Sequence, residues 1–193
     1  MTNTSIGVLL YQVINGSKYY CLVERKDSYA YQLLIDRIKR NKRISKNQLK
    51  KYLLSCTKEE FYKFIKLYPE YNIDISLGNW IEDKIILSFP KGKAEKNETK
   101  IETAKRELYE EVPLIRNILN KLSFSNYYNV YKYHAKDNNQ YYYYYLYEAE
   151  IPDKYYYNIN KVFLIQKNTE VKSIRWISEN TNVIEKYAGK LII

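Results

Sequence analysis

The chain has 193 residues, 46% of them hydrophobic, which suits one core-bearing domain with room for an inserted piece. Its 32 Lys and Arg against 22 Asp and Glu give a formal charge of +10, favouring a polyanionic partner: nucleic acid, inositol phosphates or an acidic membrane surface. Cys21 and Cys56 form no C-x-x-C pair, which excludes a disulfide framework; the lone His134 excludes a histidine-based metal cluster; and no apolar run reaches membrane-spanning length.

In chain order, the dense apolar run Ile6 to Ile14 predicts a buried strand. Asn15-Gly16 signals a turn, and Lys18 to Arg25 returns as the second strand of a hairpin. The stretch from residue 36 to 51 then carries eight Lys or Arg against one acid. Ser45 predicts an N-cap for a helix from Lys46 to about Ser55, and Thr57 with Glu60 forms a capping box for a helix to about Leu67, stopped by Pro69. Leu49, Leu53, Leu54, Phe61, Phe64, Ile65 and Tyr68 supply apolar faces that can pack together. The expected product is an inserted helical subdomain over 36–69 with a cationic face, the main domain being 1–35 and 70–193. Such a face suits a phosphate backbone, although a merely solubilising helix has the same composition.

Gly78-Asn79-Trp80 reads as a turn, with Trp80 as packing or as a stacking surface, and Asp83 to Ser88 as a strand. Asn126 to His134 and Gln140 to Glu150 are two aromatic-rich strands around the turn at residues 136–139, with alternate rings expected to face core and solvent. Thr169 to Ile177 is the last strand, and Ser178 is expected to cap a closing helix from Asn180 to about Ala188. The chain holds 24 Tyr, to which we give no functional weight, because an excess of Tyr, Asn, Lys and Ile is what an AT-rich genome yields.

The organising stretch is Gly92 to Leu114. Thr99 and Glu102 form a capping box, Ile101, Ala104 and Leu108 an apolar stripe, and Pro113 ends the helix near Val112. Glu107, Glu110 and Glu111 fall at i, i+3 and i+4 and share a face. Arg106 lies four residues from both Glu102 and Glu110 and can pair with either. By themselves these residues describe either a solvated charged helix or a carboxylate cluster that a hard divalent cation would neutralise.

The longer spacing resembles the Nudix box, G-x5-E-x7-R-E-U-x-E-E-x-G-U. Gly92, Glu98, Arg106, Glu107, Leu108, Glu110, Glu111 and Leu114 fill it, with Pro113 where the family has Gly. Phe89 to Lys93 looks like the F-P-K-G-K lead-in of the eukaryotic cap-hydrolysing Nudix enzymes. Arg25 to Tyr31 resembles the R-[RK]-D-S-x-x-Y segment of the decapping Nudix enzymes of large DNA viruses, which carry a helical insertion at this place. Thr169 to Ile177 looks like K-E-I-x-x-I-x-W of the eukaryotic enzymes.

The resemblance implies an α/β fold, a Nudix α-β-α sandwich with a mixed sheet. It implies Mg²⁺ or Mn²⁺ held by Glu107, Glu110, Glu111, the Gly92 carbonyl and, as a weaker candidate, Glu98, whose alternative role is to brace the loop. Arg106 would orient the carboxylates, and Glu111 or Glu170 would take the proton from the attacking water. The implied reaction is mRNA cap hydrolysis, releasing 7-methyl-GDP and 5′-monophosphate RNA. Arg37, Lys39, Arg40, Lys42, Arg43, Lys46, Lys50 and Lys51 would grip the capped mRNA. The alternatives are a diphosphoinositol or dinucleoside polyphosphate hydrolase, and a catalytically weak RNA-binding Nudix protein. With no signal peptide at Met1 to Ser5, a cytoplasmic or virion location is expected, with no membrane partner; oligomeric state stays open.

Overall fold

The computed structural model describes residues 3–40, 43–71, 73, 87–135, 140–165 and 170–192. The chain divides into two compact units, Met1–Arg25 with Leu87–Ile193, and Lys26–Ile86.

The first unit is a mixed nine-stranded sheet. Strands β1 (Asn3–Ile14) and β2 (Ser17–Arg25) form the expected hairpin. Asn15 and Gly16 turn it with φ of 51° and 75°, the paired positive values of a tight hairpin turn. β1 begins three residues earlier than its apolar run because its ladder with β6 (Gln140–Glu150) extends to Asn3. That β1–β6 pairing is parallel, whereas β6 runs antiparallel to β5 (Ser123–Ala135). The short β3 (Leu87–Ser88) pairs with β2, and β4 (Lys91–Gly92) pairs with β1. The remaining strands are β7 (Phe163–Leu164), β8 (Val171–Ser178) and β9 (Lys190–Leu191), giving the path β7-β8-β2-β1-β6-β5-β9.

β1 is apolar at successive positions because both its faces are covered. Ile6, Val8 and Leu10 join Ala104, Leu108, Val112 and Ile115 in one core. Leu9 lies on the other face with Tyr20, Leu22, Phe89, Leu146, Val183 and Ala188. Helix α4 (Lys100–Glu111) covers the first face and α5 (Val183–Ala188) belongs to the second. The alternation expected for Tyr141 to Tyr145 is therefore only partly between core and water. Tyr142 and Tyr144 enter the core on the α5 side, but Tyr145 packs against the α4-side core. Only Tyr141, at 50% exposure, is a solvent-facing ring of that run.

The second unit has its own core, built by α1 (Tyr29–Lys39), α2 (Lys46–Leu54) and α3 (Lys58–Leu67). The caps expected at Ser45 and Thr57 form as full capping boxes, with Gln48 and Glu60 answering. Helix α1 is absent from the sequence reading, and the boundary drawn at residue 36 falls inside it. Its first turn, Tyr-Ala-Tyr, is weakly helical by propensity. Burial of Ala30, Tyr31 and Leu34 supplies the stability instead, and Ser28 caps it by accepting from the Tyr31 backbone N–H. Buried Glu60 ties the unit together, accepting from the Ser28 N–H and hydroxyl and from the Thr57 N–H.

The closing helix also differs from expectation. Ser178 caps a single 3₁₀ turn, Glu179–Thr181, and Asn182 then adopts φ 50° before α5 begins. The left-handed residue interrupts what sequence reads as one helix. The strand expected as the last, β8, starts at Val171 and is followed by β9, whose pairing with β5 rather than its own pattern makes it a strand; Thr169, Trp80, the turns at 78–80 and 136–139, Lys42 and residues 83–86 lie outside the described residues.

Candidate active site

The site is assembled where α4 passes over β4. Thr99 caps the helix, accepting from the Glu102 N–H, while Glu102 accepts from the Thr99 N–H at 2.8 Å. Ala104 and Leu108 are buried, which fixes the rotation of α4 about its axis. That rotation lays the Glu107 carboxylate against Gly92, where any Cβ would overlap it. One turn on, Glu111 Oε2 accepts from the Lys91 N–H at 3.0 Å. β4 is held in place in turn by Gly7 of β1, where a Cβ would overlap the Pro90 carbonyl and Lys91. Two glycines thus let a strand and a helix approach closely enough for carboxylates to meet backbone.

Arg106 knots the acids together. Its Nε donates to Glu98 Oε1 at 2.7 Å, and Nη2 donates to Glu98 Oε2 at 3.2 Å and to the Lys93 carbonyl at 2.9 Å. Its Nη1 donates to Glu107 at 2.8 Å and to Glu110 at 3.2 Å. Glu98 further accepts from the Glu95 N–H at 2.9 Å and from the Thr103 hydroxyl at 3.0 Å. The Arg106 hydrogen bonds, with the Glu95 N–H, pull its carboxyl down to about 2.

The acids at the other end of the helix behave oppositely. Burial raises the pKa of Glu107, against the pull of Arg106. Burial raises that of Glu111 further, opposed by Arg25 and Lys91. Burial and the Arg25 charge in turn hold Lys91 below the ordinary lysine range. Arg25 also pairs with Glu170, Nη2 to Oε2 at 2.7 Å, because Arg25 lies opposite Val171 in the β2–β8 ladder. Glu170 is therefore brought near by strand pairing, close enough that its charge adds to the upward pressure on Glu107.

The structure thus gathers Gly92, Glu98, Arg106, Glu107, Glu110 and Glu111, with Glu170 tethered alongside through Arg25. Both Glu98 oxygens accept hydrogen bonds that brace the loop before α4. Sequence reasoning missed Arg25 and Lys91 as electrostatic partners of Glu111. The available signal was the two-residue strand period, which sets Arg25 on the same face as Cys21 and Val23. The basic residues sit in the second unit. Lys39, Arg40, Arg43, Lys46, Lys50 and Lys51 are exposed, Arg40 pairs with Asp36 at 3.8 Å, and Arg37 lies 5.8 Å over the Tyr52 ring.

Among the described residues, no three His, Cys, Asp or Glu stand ready-grouped around a cation position. Arg106 occupies the negative field between Glu107 and Glu110 instead. The donor set still fits a hard divalent cation. Its oxygens are of the right kind, and burial, which raises the proton affinity of Glu107 and Glu111, penalises their ionised form in a way that a bound cation offsets.

A mixed sheet between helices, with a glycine-backed row of carboxylates on one helix, defines a hydrolase of the Nudix class. The NUDIX domain model matches residues 73–190, and the chain belongs to that family. The match begins within the second unit, downstream of the β1–β2 hairpin, although both hairpin strands lie in the same sheet as the matched strands. Enzymes of this family generally use divalent metal ions. No curated protein matches the chain. Among solved structures it is similar to a C. elegans Ap4A hydrolase, at 16% identity over 97% of this chain and 89% of that one, TM-score 0.44. It is also similar to the M. smegmatis Nudix hydrolase RenU, at 12% identity over 94% and 74%, TM-score 0.43. A third is the NUDIX domain of Shewanella oneidensis NrtR with ADP ribose, at 11% identity over 95% and 77%, TM-score 0.45. Likenesses of this strength say nothing of substrate.

Proposed function

We propose that this Nudix hydrolase cleaves the 5′ cap of mRNA, releasing 7-methyl-GDP and 5′-monophosphate RNA. The observation that carries this reading is the run of eight basic residues over 36–51, in a chain whose Nudix helix already supplies the means to cleave a phosphoanhydride. The F-P-K-G-K lead-in at Phe89 to Lys93 and the R-K-D-S segment at Arg25 to Ser28 support it, because both resemble cap-hydrolysing Nudix enzymes.

The residues divide the work as follows. Glu107, Glu110 and Glu111, with the Gly92 carbonyl, would hold the divalent ions. When bound, Mg²⁺ or Mn²⁺ lowers the pKa of the attacking water and neutralises charge on the phosphates. Gly92 sets the depth of Glu107, and Glu98 braces Arg106, which orients Glu107 and Glu110 until substrate arrives. The proton of the attacking water passes to Glu111 or Glu170, the two acids that Arg106 does not hold. Arg37, Lys39, Arg40, Lys42, Arg43, Lys46, Lys50 and Lys51 would meet the RNA backbone without reading its sequence.

The test is incubation with cap-labelled RNA and Mg²⁺ or Mn²⁺, with the products identified. Release of labelled 7-methyl-GDP supports the reading. Faster turnover of diphosphoinositol or dinucleoside polyphosphates than of capped RNA rejects it in favour of a small-molecule hydrolase. Neutralising Arg40, Lys42 and Arg43 is expected to weaken long capped RNA far more than free cap dinucleotide; equal loss removes the basic stretch as the grip.

A further inference from the structure

On the α4 side of the sheet, the outer part of the β5–β6 hairpin runs beyond the apolar core. Strand register fixes what this face carries. Lys132 lies opposite Tyr143, His134 opposite Tyr141, and Lys190 of β9 opposite Lys132. Nearer the core, Val130 lies opposite Tyr145, and Tyr145 packs edge-on to Tyr128 with ring centroids 5.1 Å apart.

Rings and cations alternate across this surface. Lys132 Nζ stands 4.1 Å over the Tyr141 ring, and His134 stacks on the same ring at 4.7 Å. Lys100, from the first turn of α4, stands 4.8 Å over Tyr128 and 5.1 Å over Tyr145, and donates to the Tyr128 hydroxyl at 3.2 Å. Among the described residues, no Asp or Glu occupies this face of the β5–β6 hairpin, and Lys100, Lys132 and Lys190 have no carboxylate partner. Lysines elsewhere in the unit do have one: Lys18 pairs with Glu148 and Lys172 with Glu24. Lys100, Lys190, His134 and Tyr141 are exposed, and Lys132 and Tyr143 are half-buried.

We propose that this face binds single-stranded nucleic acid, with Lys100, Lys132 and Lys190 meeting backbone phosphates and Tyr141 and Tyr143 stacking on bases. Ammonium groups without a carboxylate partner beside tyrosine rings, with Tyr141 half exposed and Tyr143 half-buried, are the combination that holds a strand without reading its sequence, a base taking the place of His134 on the Tyr141 ring. The face belongs to the sheet unit alone and shares no residue with the basic run of residues 36–51. Binding there does not depend on which bond the enzyme cleaves.

The experiment measures affinity of the full chain for an uncapped oligouridylate, without divalent ions, over a salt series. Tyr141→Ala is expected to weaken binding at least about fivefold with an unchanged salt slope, since one stacked base is lost. Tyr141→Phe, which keeps the ring, is expected to bind like wild type. Lys132→Ala with Lys190→Ala is expected to lower the salt slope by between one and two. Wild-type affinity and slope in the lysine pair, or equal loss in Tyr141→Phe and Tyr141→Ala, would overturn the proposal. So would equal affinity for duplex RNA, whose stacked bases offer no free faces. None of these outcomes bears on cap hydrolysis, which the product assay decides separately.

Discussion

Glu98 and Glu111 sit at the two ends of the same helix, one just before α4 and one as its last residue. At the first end Glu98 and Glu102 are answered by groups nearby in the chain. Glu98 meets Arg106, the Glu95 N–H and the Thr103 hydroxyl, and Glu102 meets the Thr99 N–H and hydroxyl. At the second end Glu111 is buried with one backbone donor, and its cationic neighbours come from distant strands. The same side chain is thereby driven in opposite directions: hydrogen bonds favour the ionised form of Glu98, and burial disfavours that of Glu111.

That contrast can be broken from its active end first. Glu111→Gln keeps the shape and removes the charge; turnover is expected to fall by about 10²–10⁴, the span for loss of an acid or base group, while the melting temperature does not fall. Gly92→Ala comes next. Its methyl group would displace the Glu107 carboxylate, and a misplacement of about 1 Å is expected to cost on the order of 10² in kcat with little change in secondary structure by circular dichroism.

The smallest effect belongs to the bracing end. Glu98→Gln is expected to weaken Mn²⁺ affinity by about tenfold, measured by titration calorimetry, because it frees Arg106 without removing a cation-holding group. The same variant sharpens the comparison through pH. The folded pKa of Glu98 is depressed, so its stabilisation is fully present above an unfolded value of about 4.3 and is lost as pH falls toward about 2. Melting temperature between pH 5 and 2 is expected to drop less steeply in Glu98→Gln than in wild type; identical acid limbs would show that the Arg106 knot does not form in solution.

Helices whose ends are written into the chain were legible. Ser45, Thr57 and Thr99 each cap the helix expected of them, since a cap is a contact between residues three apart. Helix α1 was not, because its first turn is stabilised by burial against α2 and α3 and not by propensity. The break at Asn182 was equally hidden: its left-handed backbone divides a stretch whose polarity reads as one helix. For the site, spacing gave the row of Glu107, Glu110 and Glu111, but whether Glu98 braces or binds depended on where Arg106 points.

The sequence alone determined the family and the helix that carries the acids, because each rests on spacing along the chain; that Gly92 makes room for Glu107 came from the packing of α4 on β4. Only the tertiary structure decided that Arg25 and Lys91 reach Glu111, that Arg25 draws in Glu170, and that lysines and tyrosines from α4, β5, β6 and β9 come together on one face of the sheet. Those partners lie far apart along the chain, and a charge is felt through space: sheet register and helix packing, not order in sequence, set which charges face one another.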